Sequence, residues 1–301
     1  PIPASLPLFP PDNWWNLDIS AAPVDSGSAS FVSFIGATRT LHPDFGGDAG
    51  GVDIYGFPYA VVDGAVTKKA VAFDYADESD GVNHTTGASF PFYPIPDEAA
   101  TQPHWIEGGP AGNVDLRSSS DRHLLIVDGS SHSLYELYNV FYDGAQWHAG
   151  SGAYFDLNTN GRRPDGWTSA DAAGLAILPG LVRYDEVASG QITHAIRVTF
   201  GPTYAGYIHP ATHQASSQTD PALPPMGLRL RLNATFDTSG YTGGAQVILE
   251  AMKRFGLIVA DNGSNWFITG AADPRWDDDN LDQLKQVPGS AFEVVDTGPI
   301  I

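Results

Sequence analysis

The chain of 301 residues contains no cysteine. Disulfide bonds, thiolate nucleophiles and cysteine-held zinc or iron–sulfur sites are therefore excluded. The folded state must be stabilised by burial of a core instead. Carboxylates and histidines remain as the side chains able to carry chemistry.

Basic residues are scarce. Fifteen Lys and Arg face thirty-five Asp and Glu, which gives a formal net charge of −20. This charge repels a nucleic-acid backbone and an anionic membrane surface, so we expect neither as a partner. It also favours a neutral polysaccharide or oligosaccharide over a polyanionic substrate.

Long apolar runs are missing, since no stretch approaches eighteen consecutive apolar residues. We expect no membrane insertion. The first residues, PIPASLPLFPPDNWW, lack the charged and apolar regions of a signal peptide. Together with the low lysine content, this start favours a mature secreted, extracellular protein.

Several catalytic motifs are absent too. There is no G-x-S-x-G elbow, Walker loop, G-x-G-x-x-G turn or H-E-x-x-H helix, which disfavours nucleotide, hydride-transfer and zincin chemistry. Gln191 and His194 loosely match the Gln-Ile-His strand of some alginate lyases. Three residues apart, they would point to opposite faces of a strand.

Glycine (33) and proline (23) are abundant, and both punctuate short strands and weaken helix interiors. The composition predicts a mainly β protein, a large single-domain β-sandwich or barrel-like fold spanning 1–301 with a few short helices. A proline- and tryptophan-rich segment at 1–18 is expected to pack on this domain, and 44–51 is expected to be a glycine-rich loop. Apolar, β-branched or aromatic runs predict strands at 59–62, 70–75, 123–128, 134–142, 147–157, 192–200 and 227–234.

Three local patterns are stronger. Residues 134–142 and 147–157 should form a hairpin about Asp143-Gly144. Apolar residues at helical intervals over 244–255, stopped by Gly256, predict the best helix. A second hairpin is expected from 257–260 and 266–268.

The densest polar and aromatic region is 147–186. Glycoside hydrolysis needs two carboxyl groups and aromatic faces for the sugar rings. We predict acid and base roles for Asp156, Asp171 and Glu136. The predicted substrate-binding residues are Trp147, His148, Trp167, Arg162 and Arg163. For Asp156 the alternative is an Asx turn with Asn158, and for Asp171 a helix N-terminus.

Metal binding is a second possibility. Asp156, Asn158, Asn160 and Gly161 match the front of a calcium loop, but Trp167 stands where the final Glu belongs. His209 and His213 are four apart, as zinc or copper ligands on a helix would be, although Pro210 disfavours a helix. We therefore predict no cofactor, with calcium or a transition metal as the alternative.

The segments GWTSADAAGLAILPGLVRYDEV, YIHPATH and ADNGSNW resemble a family of uncharacterised bacterial extracellular proteins. The resemblance extends over most of the chain and implies secretion and one continuous domain. It implies no reaction and no residue roles.

The leading hypothesis is a secreted, glycan-active enzyme, a glycoside hydrolase that uses paired carboxylates. One alternative is a polysaccharide lyase or metal-dependent glycan-cleaving enzyme that uses His148, His194, His209 and His213. The other is a non-catalytic carbohydrate-binding or self-assembling extracellular protein.

Overall fold

The computed structural model describes residues 8–47 and 55–301. Residues 1–7 of the predicted N-terminal segment and 48–51 of the predicted glycine-rich loop lie outside these ranges. The strands of the described residues are β1 His42–Asp44, β2 Tyr59–Val62, β3 Val71–Phe73, β4 Val82–Asn83, β5 Ala88–Ser89, β6 Leu124–Asp128, β7 Ser133–Tyr138, β8 Phe141–Tyr142, β9 Trp147–Ala149, β10 Ser151–Asp156, β11 Ile196–Phe200, β12 Arg229–Leu232, β13 Leu257–Asn262, β14 Phe267–Thr269 and β15 Phe292–Val295. The α-helices are α1 Ser28–Ile35, α2 Glu98–Thr101, α3 Tyr184–Ala188, α4 Gly243–Arg254 and α5 Asp278–Leu281.

The protein is mainly β, as predicted, and its helices are short. The strands form open sheets of six, four, three and two members, ordered β1-β14-β11-β13-β12-β15, β10-β7-β6-β2, β3-β9-β8 and β4-β5. The predicted helix at 244–255 is α4, which buries Ile248, Leu249 and Met252 on one face. No helix in the described part of the chain is both long and apolar enough to cross a membrane.

The four-stranded sheet is a middle layer. On β6, Leu125 and Val127 face the larger apolar cluster, which is shared with the six-stranded sheet. Leu124 and Ile126 face a second cluster on the other side. Strand side chains alternate between faces, so this sheet is buried on both.

The first predicted hairpin is confirmed as two nested antiparallel pairs. β8 pairs with β9, and β7 pairs with β10 through Ser133 to Tyr138. The Asp143 carboxylate accepts backbone N–H bonds from Ala145 and Gln146 and so fixes the turn.

The second predicted hairpin is wrong. β13 and β14 are present, but β11 lies between them, parallel to β13 and antiparallel to β14. The intervening residues bond to the end of β11 instead of closing a tight turn. Gly263 N–H donates to the Phe200 carbonyl, and Thr199 Oγ1 donates to that of Ser264.

The described part of the N-terminal segment packs on the body. Trp15 is fully buried, and its carbonyl accepts a 2.7 Å bond from Ala195 N–H. This contact lies directly before β11, so the segment helps to position that strand.

Candidate functional site

A cleft of about 420 Å³ lies where several loops meet the ends of the two larger sheets. Its lining residues are Tyr75, Glu78, Asp121, His123, Tyr138, Ser151, Thr168, Ser169, Ala170, Asp171, Ala172, His213, Ala215, Asp261 and Asn262. The segments GWTSADAAGLAILPGLVRYDEV, YIHPATH and ADNGSNW each supply part of this lining. The cleft therefore joins parts of the chain that are distant in sequence.

Arg197 organises the floor of the cleft. Its Nε and Nη2 donate to the two carboxylate oxygens of Asp171 at 2.6 and 2.7 Å, and Nη2 also donates to Asp261 Oδ2 at 3.1 Å. The Asp171 and Arg197 side chains are almost completely buried, whereas that of Asp261 is 26% exposed. Asp171 is thus fully engaged, and Asp261 is the carboxyl that remains accessible.

A register shift places Asp261 beside Arg197. Val198 and Thr199 of β11 pair in succession with Val259 and Asp261, so Ala260 is an extra residue on β13. Such a bulge redirects the side chains that follow it. With regular alternation, Asp261 would share the face of Val259, which lies in the core.

The two neighbouring carboxyls have different electrostatics. Burial and the Asp171 charge raise the pKa of Asp261 to about 7, against the opposing effect of Arg197. Asp171 Oδ1 and Asp261 Oδ2 both accept from Arg197 Nη2. Two oxygens that share a donor in this way lie roughly 5 Å apart, a distance at which like charges interact strongly. Asp261 can therefore hold or release a proton near neutral pH.

A second ion pair borders the cleft. His123 Nδ1 lies 2.6 Å from Glu107 Oε2, and His123 Nε2 lies 3.0 Å from the Ala170 carbonyl oxygen. Burial alone would lower the pKa of His123, but the charge and hydrogen bond of Glu107 outweigh it and raise this pKa to about 9. With an acceptor at each ring nitrogen, the imidazolium form satisfies both contacts.

The loop that carries Glu107 is held by the adjacent Arg122. The buried Arg122 guanidinium donates to the carbonyls of Glu107, Pro110 and Ala111. Two consecutive residues therefore hold this loop. Arg122 binds its backbone carbonyls, and His123 binds the side-chain carboxylate of Glu107.

Glu136 is buried and does not line the cleft. It is fully buried on β7, where its carboxylate accepts bonds from the N–H groups of Ile177 and Leu178 at 2.8 to 3.0 Å. Burial raises the pKa of Glu136 to about 7 although these N–H groups favour the charged form. Through these bonds Glu136 holds the segment that follows Asp171.

The three predicted catalytic carboxylates do not converge. Of these, only Asp171 lines the cleft. Glu136 pairs with Ala153 across the β7–β10 ladder, and Asp156 lies three residues further along β10. That odd spacing puts Glu136 and Asp156 on opposite faces of the sheet. Asp156 accepts bonds from Asn158, as the alternative Asx turn requires.

The predicted binding residues lie mostly elsewhere. Trp147 is buried in the second apolar cluster, His148 pairs with the exposed Asp143, and Arg162 pairs with Asp165. Arg163 lies behind the cleft wall, where it bonds the carbonyls of Glu78 and Thr168. Trp167 packs near the Arg163 guanidinium, 5.4 Å from ring to cation.

The predicted metal ligands bind other partners. His209 Nε2 bonds to Asp165, His213 Nδ1 bonds to the Ala172 carbonyl, and the segment between them is not helical. In the calcium-like loop, Asn160 bonds to Asp12 and Asn13. Across 8–47 and 55–301, no three acidic or histidine side chains are grouped so as to hold a metal ion.

Arg197, Asp261 and Glu107 are not among the site residues predicted from the sequence. Asp261 starts an Asp-Asn-Gly-Ser run, which is typical of a turn. The only signal for it was its place in the ADNGSNW segment.

Comparisons of the chain with protein-family models, with curated proteins and with solved structures find no match. The resemblance to a family of extracellular proteins therefore stays a prediction.

Proposed function

We propose that the protein is a secreted glycoside hydrolase that acts on a neutral polysaccharide, with Asp261 as its proton donor. The observation that carries this proposal is a partly exposed carboxyl in a cleft, whose pKa is raised to about 7 by burial and by the charge of the adjacent Asp171. A carboxyl that keeps its proton at mildly acidic pH can protonate a glycosidic oxygen.

The rest of the cleft supports this role. Asp121 and Glu78 line it as further carboxylates and are candidates for the base or nucleophile. Tyr75 is 56% exposed and Tyr138 is half-buried, so both can offer a ring face to a sugar. The acidic lining disfavours a uronic-acid polymer, because Arg197 is already bound to two carboxyls. This weakens the lyase alternative.

The test is an assay on a panel of neutral polysaccharides, namely β-glucan, xylan, mannan and α-glucan. Hydrolysis is measured as the release of reducing ends. Asp261→Asn should lower the rate by at least about 100-fold, as expected for loss of a general acid. The wild-type rate should fall as pH rises through 7, where Asp261 loses its proton.

Asp156→Asn provides the comparison. Loss of activity in this variant, with Asp261→Asn fully active, would overturn our assignment in favour of the sequence-based one. Binding of a panel member without product would favour the non-catalytic alternative. Metal analysis of the purified protein tests the metal-dependent one.

A further inference from the structure

We propose that Glu107 and His123 form a positioning pair, which holds the Asp171 loop and supplies a positive charge that, together with Arg197, favours the anionic form of Asp261. This inference rests on the proposed function of Asp261 and adds two residues to its site. The pair itself makes no contact with the reacting atoms.

The contacts place His123 between two loops. Its Nδ1 binds the carboxylate of Glu107, and its Nε2 donates to the carbonyl of Ala170, the residue before Asp171. The ring centres of Phe57 and Tyr138 lie 5.1 and 5.4 Å from that of His123 and fix its plane. Only a ring protonated at both nitrogens can donate in both directions.

The charges near the cleft floor support the same role. Glu107 pairs with His123 and Asp171 pairs with Arg197, so Asp261 shares the Arg197 cation with Asp171. Phe57 also lies 5.5 Å from the Arg197 guanidinium and separates the two cations with an apolar face. Among the described residues, the carboxyls of Asp121, ahead of β6, and Glu136, on β7, also interact with the charge of His123.

Glu107→Gln tests the proposal because it keeps the size of the side chain and removes its charge. We would follow the imidazole nitrogens of His123 and the carboxyl carbon of Asp261 by NMR during a pH titration, with Asp261→Asn to assign the carboxyl signal. In the wild type, His123 should stay doubly protonated past pH 7.5. In Glu107→Gln its midpoint should fall by about 2 to 3 pH units, to below that of Asp261, because the burial that lowers the pKa of His123 is then no longer opposed by Glu107. The Asp261 midpoint should then rise, because a neutral His123 no longer favours its anion.

Glu293→Gln is the matched control. Glu293 also forms a part-buried ion pair, with Arg231, and its side chain is 22% exposed against 24% for Glu107. This variant should leave both midpoints unchanged.

An unchanged Asp261 midpoint in Glu107→Gln, or a wild-type His123 that titrates near pH 6.5, would overturn the inference. The second result needs no variant to fold. The titration needs no substrate, so the two tests are independent. If the NMR shifts are as expected but no polysaccharide is hydrolysed, the proposed function is wrong and the inference about Glu107 and His123 stands.

Discussion

At the scale of single residues, the buried charges of this protein differ in how well they are compensated. Arg197 binds two carboxyls, whereas the buried Arg229 donates to the carbonyl of Phe255 and has no partner for its Nε among the described residues. Burial lowers the pKa of Arg229 to about 10. Removing one member of a compensated pair leaves the other charge buried and alone, which is the costlier change.

Asp171→Asn should therefore destabilise the protein by about 3 to 5 kcal/mol, because it leaves the Arg197 cation without its main partner. Denaturant unfolding measures the change. Asp165→Asn is the control, since Asp165 pairs at the surface with Arg162 and His209 and such pairs contribute about 0 to 1 kcal/mol. Equal effects of the two substitutions would contradict this view of the Asp171–Arg197 pair.

At the scale of elements, the junction between α4 and β13 depends on Gly256. Its φ is +74°, and a Cβ added there would lie 2.2 Å from the Leu230 carbonyl oxygen. Gly190 has a similar φ of +85°, but no described atom lies within 4 Å of the same position. The two glycines thus share backbone strain and differ in the available space.

Gly256→Ala should destabilise the protein by at least about 1 kcal/mol more than Gly190→Ala, because only the first change adds a steric clash to the cost of a left-handed backbone. Thermal and denaturant unfolding of the two variants would show the difference. If both variants lost the same stability, the close approach of Leu230 would have no energetic weight.

The same scale shows what the sequence could predict. Strands such as β2 and β6 and the helix α4 follow from local apolar patterns, and so does the turn at Asp143-Gly144. The position of β11 between β13 and β14 does not, since pairing across sixty residues leaves no local pattern. Asp171 could be predicted because it lies in a dense polar segment of the sequence. The position of Asp261 in the cleft could not, because it depends on a register shift between β11 and β13 and on the contact with Arg197.

For the whole molecule, the titration of the buried groups sets the pH dependence of stability. The pKa values of Glu136 and Asp261 are raised to about 7, so the folded state binds their protons more tightly than the unfolded state does. The contribution of Glu136 and Asp261 to the free energy of unfolding therefore decreases as pH rises from about 4 to 7. His123, with a pKa raised to about 9, stabilises below pH 6.5, and this contribution is lost by pH 9.

We expect the free energy of unfolding to fall by at least about 2 kcal/mol between pH 5 and pH 9. On the acid side, protonation of Glu107 and Glu186, whose pKa values are lowered by their histidine partners despite burial, should also destabilise the fold. Denaturant unfolding across this pH range tests the prediction, and a repeat at high salt controls for repulsion within a chain of net charge −20. Stability that rises from pH 5 to pH 9 would contradict it.

The insertion of β11 between β13 and β14 also bears on how the chain acquires its structure. The central pair of the six-stranded sheet, β11 and β13, does not consist of successive strands, since β11 pairs with a strand about sixty residues later in the chain. β1 joins the same sheet by pairing with β14, from the opposite end of the sequence. Pairing over such separations costs loop-closure entropy before it gains contacts, so we expect folding to be slow. We therefore expect the candidate site, with Arg197 on β11 and Asp261 on β13, to form only once these two strands have paired.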